Sequence, residues 1–365
     1  MKNKSKILII ALKGLGNTVC LTNSLKYIDD SNMYDIDIAV CNNGSYKYIE
    51  TLELNNINNI YIWDINKPRA IMLFDIISKI RRNRYHSVYC TYPSGAKEVL
   101  SLFFSRSANK KIIRNKGGYI RFAQFLFPRA PQSDPSVHEV ENNATLMGVP
   151  IHIIRNKSVD IKSINRSKIG LHIGSRGIGK RWDLSRWTSL MELLHSEFKS
   201  NFVIMAGKDE KYLVEKLRNN SSLQFDTLIG AKFDTLINTI RDLALLIGND
   251  SSIGHIAAIY GIPTISIWAY SEYERISPYG KGAIIITRDY DCIPCYNVTK
   301  QYIRKCKYDF RCIKDTTIEE VYEIARKYIY SLKSGHIPDI AEFEKMDNVS
   351  HIKQLPSGAK IIFMK

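Results

Sequence analysis

Leu246-Ile247-Gly248-Asn249-Asp250-Ser251-Ser252-Ile253-Gly254-His255 joins a short apolar run, residues 244–247, to a small polar turn. An apolar helix over 256–260 follows, and the next apolar run is 264–268. Short apolar runs separated by turn residues and a helical segment predict a strand–turn–helix–strand unit. In open α/β sheets such turns lie at the carboxyl ends of strands, where ligands bind. This turn carries a carboxylate (Asp250), two hydroxyls (Ser251, Ser252), an imidazole (His255) and the free N–H groups of a helix start. That set suits a sugar or a phosphate. Asp and Ser are also ordinary helix caps, so the turn by itself leaves both readings open.

Outward from this unit the same alternation fills both halves of the chain. Toward the N-terminus the pattern predicts strands over 6–12, 35–40, 60–63, 87–90 and 111–113. Helices are expected between them over 19–28, 45–52, 70–80 and 95–104, and after them over 138–147. In the second half, strands over 169–173 and 201–206 alternate with helices over 184–198, 211–217 and 233–243. Strands alternating with helices imply parallel, doubly wound sheets. The polar stretch 151–167 lacks periodicity and reads as the connection between two domains. The expected organisation is a domain over 1–160, a second over 161–334, and a tail over 335–365 of unknown role. Residues 117–135 are basic, aromatic and proline-containing; they suit either a substrate-facing or membrane-contacting loop, or a loop packed by its own aromatic rings.

The chain has 365 residues, 45% of them hydrophobic and 24% charged, which fits a globular protein. Its formal net charge is +16, which favours an anionic partner: nucleic acid, a phosphorylated substrate or an anionic membrane face. Lysine- and asparagine-rich tracts such as 55–60 show that compositional bias also feeds this charge. Clustered basic stripes and nucleic-acid motifs are missing, so no nucleic acid is expected. The apolar run at 7–12 is too short for a signal peptide, and no apolar run is long enough to span a bilayer. These features predict a cytoplasmic protein, with peripheral contact to the anionic inner face of the inner membrane open to it. Of seven cysteines, Cys292, Cys295, Cys306 and Cys312 cluster. Cys-x-x-Cys raises zinc, but the five residues between Cys306 and Cys312 are wider than common zinc patterns. Reduced structural thiols are the expectation, with no metal assigned and no cofactor.

Three segments carry chemistry. Gly174-Ser175-Arg176-Gly177-Ile178-Gly179-Lys180-Arg181-Trp182 is a glycine-rich basic loop after a strand. Its backbone N–H groups and the cations Arg176, Lys180 and Arg181 are what a diphosphate requires, although the P-loop spacing is absent. Gly207-Lys208-Asp209-Glu210 puts carboxylates just past a strand end, where they can accept hydrogen bonds from ribose hydroxyls or simply favour a helix start. The turn at Asp250 is the third. Near the N-terminus, Lys13-Gly14-Leu15-Gly16-Asn17-Thr18 is half of a dinucleotide fingerprint with its third glycine missing.

Together these segments resemble glycosyltransferase family 9, the ADP-heptose:lipopolysaccharide heptosyltransferases. Leu15-Gly16-Asn17 stands where the family has a Leu-Gly-Asp turn. His172, Gly174, Lys180, Arg181, Trp182, Leu184, Arg186 and Trp187 are similar to its central block. Gly248, Asn249, Asp250, Ser251, His255, Ala257 and Ala258 match a second block, and Arg275, Pro278, Tyr279 and Gly280 a third. The resemblance implies a GT-B fold, two Rossmann-like doubly wound domains facing across a cleft. It implies an inverting, metal-independent transfer of a sugar, a heptose first, from an ADP-sugar or related nucleotide-sugar. The acceptor would be a phosphorylated, lipid-linked glycan such as lipopolysaccharide. Under it Lys180 binds the donor diphosphate with Ser175 and Arg176, while Asp209 or Glu210 meets the ribose. Asp250, Ser251, Ser252 and His255 hold the sugar and phosphate, and Gly14, Gly16 and Asn17 face the acceptor.

Two departures stand out. The family's first-turn aspartate, the expected base, is Asn17, and an amide does not titrate near neutral pH. Asn17 is then left to orient the acceptor while Asp134, His138 or Glu139 takes the proton, or catalysis leans on Lys180 and the helix start at the leaving group. The family's Thr-Gly after the second aspartate is Ser251-Ser252, which bears on the sugar accepted. The alternative is a non-catalytic nucleotide-sugar or glycan-binding protein that keeps the fold.

Overall fold

A computed structural model describes residues 4–63, 67–113, 123, 125–131, 134, 136–155, 168–295 and 306–365. The chain divides into two compact units, Met1–Asn156 and Lys157–Lys365. Most of the loop expected over 117–135, and residues 156–167 of the connection, lie outside the described residues.

In the first unit five strands form one parallel sheet: β1 (Ser5–Ala11), β2 (Tyr34–Val40), β3 (Ile57–Ile62), β4 (Ser87–Cys90) and β5 (Asn109–Ile112). Their order is β3-β2-β1-β4-β5, so the winding reverses between β1 and β4. Strand β1 lies centrally and is buried from Ile7 onward, which explains its unbroken apolar run. Helices α1 (Leu15–Val19) and α2 (Thr22–Asp30) replace the single helix expected over 19–28. The Thr22 hydroxyl donates to the carbonyl of Val19 at 2.7 Å, a local bond that competes with the helical ladder at the break. Helices α3 (Asn43–Glu50), α4 (Arg69–Arg81) and α5 (Ala96–Phe104) connect the remaining strands. Helices α6 (Glu139–Met147) and α7 (Ile151–Arg155) follow.

The second unit holds an eight-stranded sheet ordered β12-β13-β11-β10-β9-β6-β7-β8. Its strands are β6 (Lys168–His172), β7 (Asn201–Ala206), β8 (Asp226–Ile229), β9 (Leu245–Asn249), β10 (Thr264–Ile267), β11 (Ala283–Arg288), β12 (Val349–Gln354) and β13 (Lys360–Met364). All pairings are parallel except β12 with β13. Strands β8, β11, β12 and β13 lie outside the sequence-based expectations. The tail is part of this sheet: β13 pairs with β11, and β12 folds back on β13.

Helix α8 (Leu184–Phe198) shows why the layers close. Trp187, Leu190, Met191 and Leu194 recur at helical spacing and are buried, while Glu192 and Glu197 face outward. Asp183 caps the helix by accepting from Ser185 N–H at 2.8 Å. The next helices are α9 (Lys211–Asn220), α10 (Phe233–Arg241), α11 (Ser252–Ile259), α12 (Tyr273–Ile276) and α13 (Arg311–Lys314). Helix α14 (Ile318–Lys333) packs beside α8, with Arg326 donating to Glu197 at 2.9 Å; α15 (Ala341–Glu344) completes the chain. Among the described residues no helix is long and apolar enough to cross a membrane.

Candidate functional site

In the eight-stranded sheet the winding reverses between β6 and β9, which are hydrogen-bonded neighbours. A crevice opens at the carboxyl end of a sheet where the chain winds away on opposite sides. The glycine-rich basic loop leaves β6 there, and the Asp250 turn leaves β9. Two segments about seventy residues apart in sequence thus meet at the carboxyl end of the sheet.

Asn249, the last residue of β9 and only 1% exposed, ties the two together. Its Oδ1 accepts from Trp182 N–H at 3.1 Å, and its Nδ2 donates to the Ile173 carbonyl at 2.8 Å. The Ser175 hydroxyl donates to the Asp250 carbonyl at 3.1 Å. Trp182 is buried edge-on against Trp187, with its indole N–H donating to the Thr316 carbonyl at 2.8 Å. The far end of the loop is therefore anchored in the core while its centre stays at the carboxyl end of the sheet.

Lys180, in a 3-10 turn over Ile178–Lys180, pairs with Asp250 at 2.5 Å, and its ammonium lies 5.3 Å from the Tyr270 ring centroid. Two glycines of the loop are required by close approach. A methyl at Gly177 would lie 2.6 Å from the Tyr270 hydroxyl, and one at Gly179 would lie 2.3 Å from two Phe310 ring carbons. The loop thus rests on an aromatic floor of Tyr270 and Phe310, whose ring centroids are 6.0 Å apart.

Arg181 faces the other way. It donates to the Ser175 carbonyl at 2.8 Å, to the Tyr212 hydroxyl at 2.7 Å and to Glu210 at 3.1 Å. Glu210 also accepts from Gly207 N–H at 3.0 Å, so its carboxylate braces the loop after β7 against the basic loop. Asp209 is exposed, as is Arg176. Asp209 and Glu210 therefore sit differently: Glu210 is engaged in framework bonds, and Asp209 presents its carboxylate to solvent.

Ser251 caps α11 by accepting from Ile253 N–H at 3.3 Å, and its hydroxyl lies 3.0 Å from His172 Nδ1. Ser252 is the first residue of α11, and His255 is buried in its first turn and a half. Burial pushes both His172 and His255 down to about 4, so both are neutral near pH 7. The Arg275–Gly280 element comes to the same region: Pro278 lies 3.3 Å from where a methyl on Gly254 would be.

In the first unit the Gly14–Asn17 turn sits at the end of β1, beside the reversal with β4. Gly14 precedes α1, and Asn17 Nδ2 donates to Glu139 Oε2 at 2.5 Å. Glu139 is the first residue of α6 and is 1% exposed. His138 Nδ1 accepts from Val140 N–H at 3.1 Å, while exposed Asp134 accepts from Ser136 N–H at 2.9 Å.

Sequence alone assigns no role to Asn249, Tyr270 or Phe310. Asn249 stands inside a quoted motif, but its two-sided brace depends on strand adjacency that no local pattern reveals. The four clustered cysteines line one pocket with Tyr270, Phe310 and Arg311. Burial pushes the Cys312 thiol up to about 12. Among the described residues no group of three or more His, Cys, Asp or Glu side chains is arranged to hold a metal ion.

Residues 127–305 match the model of glycosyltransferase family 9 (heptosyltransferase). Two curated relatives are lipooligosaccharide heptosyltransferase 2 from Campylobacter jejuni. The serotype O:2 protein is 28% identical over 46% of this chain and 52% of its own length. The serotype O:6 protein is 29% identical over 69% of this chain and 82% of its own length. The chain thus spans about half of the first relative. Among solved structures, a family 9 glycosyl transferase from Veillonella parvula superposes with a TM-score of 0.68 at 16% identity, over 90% of this chain and 99% of that one. Escherichia coli ADP-heptose lipopolysaccharide heptosyltransferase II gives 0.63 at 16% identity, over 89% and 98%. Two parallel-sheet units with these likenesses make the fold GT-B.

Proposed function

This chain belongs to glycosyltransferase family 9, and from that premise we propose that it is an inverting enzyme that moves a heptose from an ADP-sugar or related nucleotide-sugar to a surface-glycan acceptor of the lipopolysaccharide or lipooligosaccharide kind. The observation that carries the reading is the meeting of the Lys180 loop and the Asp250 turn at the winding reversal between β6 and β9. The two relatives act in lipooligosaccharide synthesis by name, and one structural neighbour is named for ADP-heptose.

On this reading the Lys180–Asp250 pair is the resting state of the donor site. A diphosphate arriving over the loop competes with Asp250 for the Lys180 ammonium. As the bond between the anomeric carbon and the phosphate oxygen breaks, negative charge grows on the leaving nucleotide. Lys180 and the positive end of α11 meet that charge. Asp250, released from Lys180, can accept from sugar hydroxyls, as can Ser251 and Ser252. Asp209 is the better placed of the two acids for the ribose, because Glu210 is held by Arg181 and Gly207. Neutral His172 and His255 serve as hydrogen-bonding groups and not as cations. The acceptor is bound by the Gly14–Asn17 turn of the first unit. A net charge of +16 favours a phosphorylated acceptor at the anionic cytoplasmic face of the inner membrane.

Purified protein incubated with ADP-heptose, other nucleotide-sugars and a heptose-deficient lipooligosaccharide acceptor tests this through nucleotide release and mass increase of the acceptor. Acceptor-dependent release with one donor supports it; no turnover with any donor refutes it. A second reading, a nucleotide-sugar-binding protein without turnover, is favoured by Asn17, whose amide cannot take a proton. Donor binding without turnover is its signature.

A further inference from the structure

Transfer to a hydroxyl requires a group that takes its proton, and the turn that ends β1 carries the Asn17 amide and no carboxylate. Asp134, His138 and Glu139 are the titratable candidates, and their geometry differs sharply. Asp134 is exposed and spends its carboxylate on its own turn, accepting from Ser136 N–H and the Ser136 hydroxyl. His138 turns its Nδ1 onto the backbone of α6, accepting from Val140 N–H. Glu139 touches Asn17 through a 2.5 Å bond in which the amide donates and the carboxylate accepts.

We propose that Glu139 is the base of the transfer and that Asn17 positions it: the carboxylate that the β1 turn lacks is supplied from the first turn of α6. The inference rests on the glycosyltransferase reading. Asn17 is half-buried at the turn and Glu139 lies directly behind it. A hydroxyl bonded to the Asn17 amide is within reach of the Glu139 oxygens, directly or through one water, which is the range over which general bases act. The donated bond fixes the carboxylate's orientation, and Glu139 stands in the first turn of α6, where acidic side chains are favoured. In the step, the acceptor O–H bond breaks and its proton passes to Glu139. The acceptor oxygen bonds to the anomeric carbon, and the bonding pair to the phosphate oxygen leaves with the nucleoside diphosphate. Atoms and charge balance without a further reagent. The neighbouring acid Glu141 is excluded by its ion pair with Arg155 at 2.6 Å.

The test is a swap. Glu139→Gln keeps shape and removes the base; Asn17→Asp with Glu139→Gln keeps one amide and one carboxylate in contact but moves the carboxylate to the turn. Turnover is followed by nucleotide release with saturating acceptor, donor affinity by calorimetry with ADP, and folding by thermal melting. The expected result is a fall in kcat of about 100-fold or more for Glu139→Gln, in line with the worth of a general base, with ADP affinity unchanged. The swapped variant should regain about tenfold or more of that loss. Glu139→Gln retaining kcat within about fivefold of wild type overturns the assignment. So does a folded, ADP-binding swapped variant that regains nothing, because that makes Glu139 a helix-end carboxylate only. If Glu139→Gln does not fold, the swapped variant is read against wild type: a kcat within about tenfold supports the assignment, and a folded, ADP-binding variant with a kcat at or below about 1% of wild type overturns it. Absence of wild-type turnover with every donor is a different result: it refutes the transfer reading, and the base assignment falls with it.

Discussion

Gly179→Ala should damage the glycine-rich basic loop without touching a charged group. The added methyl would lie 2.3 Å from Phe310 Cδ1 and Cε1 and 2.8 Å from Cζ. Carbon atoms rest at about 3.5–4.0 Å, so the ring or the loop must give way by about 1.2 Å or more. The ring is not free to swing. It packs against the core of the second unit and against Tyr270, and its backbone sits at φ 56°, a left-handed conformation that side chains rarely adopt. Overpacking of this kind costs about 1–3 kcal/mol, or roughly 2–12 °C in Tm for a unit of this size. Because Lys180 is the next residue, a shift of the loop also displaces the ammonium from its place between Asp250 and Tyr270. ADP affinity measured by calorimetry should fall about tenfold, which corresponds to ~1.4 kcal/mol. Phe310→Ala empties the space the methyl needs, so the double variant should bind ADP better than Gly179→Ala alone, with a coupling of about 1 kcal/mol or more. If Gly179→Ala melts and binds as wild type, or if the two changes are additive, the aromatic floor does not position the loop.

Other expectations follow from the same geometry. Lys180→Ala leaves Asp250, 7% exposed, without its ion-pair partner. Thermal melting should show a loss near the lower end of about 3–5 kcal/mol, because Lys180 itself keeps 14% exposure, and nucleotide titration should show at least about tenfold weaker binding. Asn249→Ala strands Trp182 N–H and the Ile173 carbonyl, and urea denaturation should show a loss of about 2–3 kcal/mol; an unchanged midpoint would mean that other groups close the bonds. His172 and His255 titrate near 4 in the fold and near 6.5 when unfolded, so the unfolded chain binds the extra protons as pH falls. Their contribution is full above pH 6.5 and is lost toward pH 4, about 2 kcal/mol each by pH 5. A stability that is flat from pH 7 to pH 5 would refute their burial as neutral groups.

Much of the fold was legible in the chain because parallel strands buried on both faces are written as short apolar runs. β1, β2, β4, β6, β7 and β9 all announce themselves this way. The strands that escaped have other reasons. β8, with the sequence Asp-Thr-Leu-Ile, ends one edge of the sheet and is only partly buried, and β12 lies at the opposite edge with four of its six residues exposed. β11 and β13 are apolar enough, but their pairing spans some eighty residues and joins the tail to the sheet.

The sequence by itself determined the alternation and the three polar turns, because each depends on local pattern: apolar period, glycine in a turn, small polar caps at a helix start. It also placed an amide, Asn17, in the turn that ends β1. Only the tertiary structure decided which turns meet at the carboxyl end of neighbouring strands, since strand order is not a local property. That order puts β6 beside β9, pairs Lys180 with Asp250, gives Glu210 to Arg181, and lays Phe310 against Gly179. It also brings Glu139 to Asn17 across more than a hundred residues of chain, a contact set by packing that neither residue's neighbours in sequence could show.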